Sequence, residues 1–233
     1  MNNKNNRKEV LNFMKAFIKR YEYNYIKKCL FDLNNTFRNC VDPNIVETNK
    51  AYIQGKILRL FTDLSEEEEK LLDISKITDP LYIEQYSNKL KEYVYEMPNI
   101  TNAQISKLFR KEKKLKVPDL TEHDSTSVYL GWVDESSRKL FIAYNMNGKL
   151  IGMSCRLQNY ASNNTHICTL CNHIGRENEV AFVSPICKTD NASKGAYKSI
   201  GFDICLDSDK CNERIISVEK LEKILKTVNN IKE

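Results

Sequence analysis

Two pairs of cysteines constrain the fold of this chain more than any other feature. Cys168 and Cys171 are separated by two residues, and Cys205 and Cys211, with five residues between them, follow after a gap of 33 residues. A two-residue gap lets both thiolates point the same way from a tight turn, which presents half of a tetrahedral zinc site. Four sulfurs complete the coordination sphere of Zn²⁺, so we predict one structural zinc with no open position for water.

The arrangement around the second pair indicates the type of zinc fold. Cys211 lies where a helix could begin, and the positive end of such a helix would favour the thiolate form. A C-x2-C hairpin, followed by a last pair that leads into a helix, is the outline of a treble-clef zinc finger. A closing helix is expected from Asn212 or Ser217 to Val228.

Other roles for these and neighbouring residues fit the sequence less well. A thioredoxin-like redox pair requires C-x-x-C at the start of a helix in a βαβ unit, whereas loop residues 161–165 precede Cys168. His166 or His173 could replace a sulfur, since histidine joins three cysteines in some zinc sites. We expect both histidines at the surface of the knuckle, and we expect the four remaining cysteines to be thiols outside the site: Cys29, Cys40, Cys155 and Cys187.

The first part of the chain has the periodicity of helices. Apolar residues recur at steps of three or four, and they form a stripe that begins with Val10, Phe13, Met14, Phe17, Ile18, Tyr21, Tyr25, Cys29, Leu30, Leu33 and Phe37. Pro43 suits the first turn of a second helix, and Ser65 with Glu68 forms a capping box for a third. Further helices are predicted from Pro80 to Glu96 and from Asn102 to about Lys113. Short loops between such helices predict an antiparallel bundle.

The pattern changes after Pro118. Segments 127–133, 139–144 and 149–154 are short and rich in β-branched or aromatic residues, with turn sequences between them. This pattern predicts an antiparallel meander. The predicted fold class is therefore α+β, with a helical bundle over residues 8–100 and an α/β domain with the zinc finger over residues 101–233.

Composition narrows the possible functions. Of 233 residues, 41% are hydrophobic, which is enough for at least one real core, and no run approaches the length of a membrane span. No secretory leader is recognisable, so we expect a cytoplasmic protein. We also expect the protein to be a monomer. Three histidines and seven glycines offer little material for general base catalysis or a phosphate-cradling loop, so we expect no enzymatic activity.

Several segments together resemble a known family. The helix segment YEYNYIKK (21–28), the run KLFRKEKKLKVP (107–118), the strand YLGW (129–132) and the four-cysteine pattern resemble the FusB/FusC family of elongation factor G-binding proteins. The resemblance extends from about residue 14 to the end of the chain. It implies a helical bundle followed by a zinc-finger domain, and a non-enzymatic role. Members bind elongation factor G and promote its release from ribosomes stalled by fusidic acid, which gives resistance without altering the drug.

A rigid zinc finger with basic and aromatic residues suits a protein-docking surface. The segment between the cysteine pairs and the start of the last helix supply the candidates for contact with the factor: Lys194, Tyr197, Lys198, Phe202 and Arg214. Among them, Phe202 also fits a core position, on the burial preference of aromatic residues. The spacing of Lys194 and Tyr197 in KGAY makes these two the central hypothesis.

Two alternatives remain open from the residues alone. A zinc protein that contacts ribosomal RNA or DNA directly would explain the finger and the basic run from Arg110 to Lys116. That run also fits a solvated helix end, where cations suit the carbonyl terminus, and we favour this interpretation and expect no direct contact with nucleic acid. A treble-clef nuclease would need a further His/Asn/His metal site, and His123, His166 and His173 lack the arrangement for one.

Overall fold

The computed structural model describes residues 15–120, 124–158, 164–189 and 198–232. Seven helices are described: α1 Arg20–Asn39, α2 Pro43–Leu58, α3 Glu66–Leu72, α4 Pro80–Lys91, α5 Asn102–Leu108, α6 Ser208–Asn212 and α7 Glu219–Asn229. Seven strands are described: β1 Leu130–Asp134, β2 Lys139–Met146, β3 Lys149–Leu157, β4 Thr165–Ile167, β5 Ile174–Arg176, β6 Val180–Pro185 and β7 Phe202–Cys205. No described helix has the length and apolar composition needed to cross a membrane.

The N-terminal helices form around the apolar stripe of α1. Ile26, Leu30 and Leu33 are almost completely buried in one core with residues of α2, α3 and α4. Helix α2 begins with Pro43 behind the Asp42 cap, and the Ser65–Glu68 capping box starts α3, as predicted. The part of the predicted stripe that precedes residue 15 lies outside the described residues.

Two helices are shorter than predicted. Helix α4 ends at Lys91, not at Glu96, because Val94 forms an isolated parallel bridge with Ile18, which ties the chain to the segment before α1. Helix α5 ends at Leu108, not near Lys113, because Phe109 turns away from helical geometry and is buried. The basic residues Arg110 to Lys116 therefore follow the helix and do not form its last turn.

The C-terminal half is built on an antiparallel sheet with the strand order β1-β2-β3-β6-β7. The predicted meander is confirmed: β1 pairs with β2, and β2 pairs with β3 along its full length. Strands β4 and β5 form a separate two-stranded hairpin. Strand β1 begins three residues later than predicted, at Leu130, whereas β2 and β3 extend beyond their predicted ends.

The two faces of the sheet carry different cores. Alternate residues of β2 point to opposite sides, so Leu140 and Ile142 join the core that contains the cysteines and α7. Phe141 and Ala143 join a second core with Phe109 of the α5 end. Helix α5 therefore packs on the sheet, on the face opposite to the cysteines. The division of the chain at residues 100 and 101 stays a prediction.

A buried contact connects the helical half to the zinc half. The Nδ2 group of Asn24, in α1, donates to the carbonyl oxygens of Asn212 at 2.7 Å and Ile215 at 2.8 Å. Nearby, Arg20 Nη1 donates to Thr126 Oγ1 at 2.6 Å and lies 3.2 Å from Asp124 Oδ2. The contact reaches the residue directly after Cys211, so the metal centre and α1 share a neighbour.

Candidate zinc centre

The four cysteines predicted as metal ligands lie together. Their sulfur atoms are all within 4.8 Å of one another, and the closest pairs are Cys168–Cys211 at 3.9 Å and Cys171–Cys205 at 3.6 Å. Four sulfurs at the usual Zn–S distance of about 2.3 Å in a tetrahedron would be about 3.8 Å apart. The spacing fits one structural zinc ion and is too long for disulfide bonds, whose sulfurs lie about 2.0 Å apart.

The first pair is presented by the β4–β5 hairpin. Cys168 follows β4 directly, its amide donates to the carbonyl of His173, and its carbonyl accepts from the amide of Asn172, both at 2.9 Å. Asn172 adopts a positive φ of 59°, a left-handed conformation that asparagine tolerates and that turns the chain back into β5. The amide of Thr169 donates to the carbonyl of Asp203 at 2.8 Å, which holds the hairpin against β7.

The second pair comes from β7 and α6. Cys205 is the last residue of β7, and the Asp207 side chain caps α6 by accepting from the amide of Lys210. Cys211 lies inside α6, near its end, so the prediction that it begins a helix is wrong. The predicted closing helix is α7, Glu219–Asn229, close to the predicted limits of Ser217 and Val228, and Cys211 lies in the separate short helix α6.

Helix α6 lies on the sheet in close contact with the backbone of β1 at Gly131. Ser208 Oγ donates to the carbonyl of Gly131 in β1 at 2.8 Å. A Cβ atom on Gly131 would lie 2.8 Å from the Tyr129 ring and 2.9 Å from Ser208 Cβ, so only glycine allows this spacing. Gly131 in the YLGW strand therefore helps to place Cys211.

The thiols influence one another strongly. Hydrogen bonds from Cys171, Cys205 and Cys211 lower the pKa of the Cys168 thiol far below its ordinary value. Hydrogen bonding to Cys168 and Cys171 raises the pKa of the Cys205 thiol, because a second negative charge beside the first is unfavourable. Four thiolates can share this small volume only around a cation, which is what Zn²⁺ supplies in such sites.

Tyr129 is a supporting residue that the sequence analysis did not identify. It is 1% exposed, and burial, followed by its proximity to the Cys211 sulfur, raises the pKa of its phenol well above the ordinary value. The phenol therefore stays neutral and can donate a hydrogen bond toward sulfur. Tyr129 lies directly before β1, and nothing in the sequence indicated that its side chain faces the cysteines.

Neither neighbouring histidine belongs to the ligand cluster. His166 Nδ1 lies 2.9 Å from Asp203 Oδ1, on the strand that provides Cys205, so its ring supports the hairpin. His173 is partly exposed. Among the other cysteines, Cys29 and Cys155 are buried, whereas Cys40 and Cys187 are partly exposed.

The residues predicted to contact a partner have different positions. Lys194 and Tyr197 lie outside the described residues. Lys198 is exposed beside α7, and Arg214 is partly exposed just after α6. Phe202 is 9% exposed and packs in the core of the sheet, so its alternative role in packing is the one observed and we remove it from the contact surface.

The hairpin also presents an apolar pair that the sequence analysis missed. Ile167 and Ile174 lie directly opposite each other in β4 and β5, and they are 56% and 62% exposed. Opposite residues of an antiparallel pair point to the same face, so the two side chains form one apolar surface beside the cysteines. The register of the hairpin was needed to find them, since each isoleucine alone is unremarkable in the sequence.

Comparisons with known proteins agree with this architecture. Residues 17–98 match a family model described as elongation factor G-binding protein, N-terminal, and residues 100–230 match one described as FBP C-terminal treble-clef zinc-finger. A solved structure titled "Structure of the fusidic acid resistance protein FusC" is 27% identical, with a TM-score of 0.74. The similarity covers 93% of this chain and 100% of that one. No curated protein sequence matches the chain.

Proposed function

We propose, since this chain belongs to the family of elongation factor G-binding proteins, that it binds elongation factor G and promotes its release from ribosomes stalled by fusidic acid. Such target protection would give resistance in the cytoplasm without chemical change to the drug. The observation that carries the proposal is the match of residues 17–98 to the N-terminal model of that family. The similarity to FusC over the whole length of that protein supports the link to fusidic acid.

The zinc half suits the role of a docking platform. Its hairpin strands have only three residues each, and they are fixed by two metal ligands at one end and by the contact of Thr169 with β7. A surface that is rigid before binding loses little conformational freedom on association. We place the exposed pair Ile167 and Ile174 in the contact surface, together with the predicted residues Lys194, Tyr197, Lys198 and Arg214.

A non-enzymatic role fits the chemistry of the metal centre. Four sulfur ligands complete the zinc coordination, and such a closed centre has no position for an activated water. When bound, the metal would supply folding free energy and would hold the hairpin, β7 and α6 together.

Binding to purified elongation factor G, without ribosomes or RNA, tests the proposal. We expect a stable complex by calorimetry, and faster loss of the factor from fusidic acid-stalled ribosomes in a sedimentation assay. Absence of a complex with the zinc-loaded chain would refute the proposal. A complex without any effect on ribosome release would limit the function to binding.

A double variant tests the placement of the surface. Ile167→Ser with Ile174→Ser should weaken the complex by about 10-fold or more, since buried apolar anchors contribute over about 1 kcal/mol each. Ile45→Ser is the matched control, because Ile45 is also 56% exposed but lies on α2. Equal affinity of both variants and wild type would exclude the hairpin from the contact surface.

A further inference from the structure

A groove with an excess of positive charge lies beside β3, between the end of α5 and the end of α7. Two adjoining cavities share Arg110, Gly152 and Lys188 in their lining. Their cationic side chains at the open surface define the basic groove: Lys107, Arg110, Lys111, Lys149 and Lys188. All five are exposed.

The fold brings these cations together from separate parts of the chain. Helix α5 packs directly on β3 at Gly152, where a Cβ atom would lie 2.7 Å from the Leu108 side chain. This contact places the end of α5 beside the start of β3, and so beside Lys149. From the other side, Asn229 of α7 donates to the carbonyl of Gly152 at 3.0 Å and accepts from Lys188 Nζ at 2.7 Å. The groove is therefore fixed by packed elements.

The described part of the groove contains almost no compensating negative charge. The chain as a whole is nearly balanced, with 36 basic and 31 acidic residues. Among the residues that the structure describes, Glu112 is the only carboxylate that lines either cavity, and Lys139 Nζ lies 2.6 Å from it. Among the described residues, no carboxylate lies within ion-pair distance of the five groove cations. The cavity on the other side of α7 is different, since Glu219 and Glu222 line it with its lysines.

The basic residues between Arg110 and Lys116 extend this charge. A helix end would have accounted for them, because cations suit the carbonyl terminus. Helix α5 ends at Leu108, however, so only Lys107 lies in its last turn. Lys113, Lys114 and Lys116 are exposed beyond the groove. Because these residues lie outside the helix, the interpretation of the basic run as a solvated helix end is no longer supported.

We propose that the basic groove binds the phosphate backbone of RNA. Phosphate contacts are made mainly by lysine and arginine side chains and need no aromatic anchor, and the exposed charged side chains of the groove are of this kind. Protein interfaces, by contrast, are enriched in aromatic residues and depleted in lysine. The lining aromatic residue, Phe109, is 6% exposed and takes part in the core. That the RNA is ribosomal rests on the proposed function.

The consequence is a protein with two separate contacts. The zinc hairpin would contact the factor, and the groove between the ends of α5 and α7 would contact RNA. Five cations can neutralise several phosphates, so binding should fall steeply with salt, with a slope of about 0.7–0.9 per phosphate in a plot of log K against log salt.

Fluorescence anisotropy of a labelled RNA hairpin with the full chain tests the inference. We expect wild type to bind at low salt, and the triple variant Lys107→Gln, Arg110→Gln, Lys149→Gln to bind about 10-fold or more weakly. The salt slope should fall by about 1 for each lost phosphate contact. Glutamine retains most of the side-chain length, and Lys188 is left intact because it bonds Asn229.

A matched variant separates local from overall charge. Lys28→Gln, Lys76→Gln, Lys89→Gln removes three exposed lysines from the helical half, with the same change of net charge. It should retain RNA affinity within about 2-fold, since exposed charges beyond a Debye length of roughly 10 Å are largely screened. Equal loss in both variants, or no loss in the groove variant, would overturn the inference.

Binding of elongation factor G provides the second measurement. The groove variant should bind the factor as tightly as wild type, so a failure of the RNA contact is distinct from a failure of the proposed function. If the groove variant loses the factor and keeps the RNA, the groove serves an acidic protein surface and the inference is refuted.

Discussion

The two halves of this molecule are stabilised in different ways. The helical half depends on side-chain packing: Ile26, Leu30 and Leu33 of one long helix are buried among three other helices. The zinc half has a sheet core as well, but its hairpin strands of three residues could not persist alone. The helical half is therefore stabilised by its buried apolar side chains, whereas the hairpin of the zinc half is stabilised by the metal.

The halves are nevertheless not independent. Asn24 bonds the carbonyls of Asn212 and Ile215, and the Oδ1 atom of Asn212 accepts from the amides of Val128 at 2.9 Å and Tyr129 at 3.1 Å. Asn212 thus joins α1, the segment directly before β1, and α6, which carries the last zinc ligand. Loss of the metal should therefore disturb the contacts at the start of α1, although the core of the helical half contains no zinc ligand.

The largest effect is expected from loss of a zinc ligand. Cys168→Ser should release the metal and unfold the zinc half, because structural zinc in small fingers contributes apparent binding free energies of about 10–16 kcal/mol. The helical half should remain folded, since its core contains no ligand. Fluorescence of Trp132, the sole tryptophan of the chain, reports the zinc half, and circular dichroism at 222 nm reports mainly the helices.

A cysteine outside the cluster provides the control for this variant. Cys40→Ser lies at the end of α1 and should leave both signals and the zinc content unchanged. Simultaneous loss of the tryptophan signal and all helical signal in Cys168→Ser would contradict the expectation that the helical half folds without the zinc half.

The next effect is expected from a cavity in the helical core. Leu33 is fully buried, so Leu33→Ala should lower the free energy of unfolding of the helical half by about 2–5 kcal/mol. Zinc content should stay at the wild-type value, which elemental analysis of the purified variant would measure. Zinc loss in this variant would show that the metal site depends on the bundle.

A smaller effect is expected at the contact of Asn24 with Asn212 and Ile215, which connects the two halves. Asn24→Ala leaves two buried carbonyls without their donor and should cost about 1–3 kcal/mol. In a denaturant titration of this variant, the transition followed by tryptophan fluorescence should separate from the transition followed by circular dichroism at 222 nm. Asn39→Ala, which removes an exposed hydrogen bond to the Asn35 carbonyl, is the control and should not separate them. Transitions that stay coincident in Asn24→Ala would mean that other contacts couple the halves.

The smallest effect is a pH dependence of the free energy of unfolding that comes from the Arg20–Asp124 contact. Burial alone would raise the pKa of Asp124, but hydrogen bonds from Thr126 and the charge of Arg20 outweigh it, and the pKa lies below its ordinary value. A carboxyl of this kind contributes stability that is present above its unfolded pKa of about 3.9 and is lost as the pH falls through its folded pKa.

Asp124→Asn isolates this contribution. The stability difference between wild type and the variant should shrink as the pH falls below about 4, while zinc release affects both proteins alike. Urea unfolding at several pH values measures that difference. A difference that stays constant with pH would exclude the Arg20–Asp124 contact as its source.

The features set by local chemistry could be predicted from the sequence. Pro43 and the Ser65 box gave helix starts because capping depends on a few adjacent residues. The four zinc ligands were identified because thiolate spacing is specific to metal binding. Turn residues between the strands gave the meander for the same local reason.

The features set by contacts between distant segments could not be predicted. Helix α5 ends early because Phe109 is drawn into the core under the sheet, and the sequence around it continues as a good helix. The exposed pair Ile167 and Ile174 depends on hairpin register, and the basic groove depends on how Gly152 admits α5. Each of these surfaces is assembled from residues far apart in the chain.

Zinc content measured on the same sample that is titrated with elongation factor G tests the central claim most directly. The account predicts about one zinc per chain in native material, and joint loss of the metal and of factor binding in Cys168→Ser. Native protein that carries no zinc and still binds the factor with full affinity would contradict it.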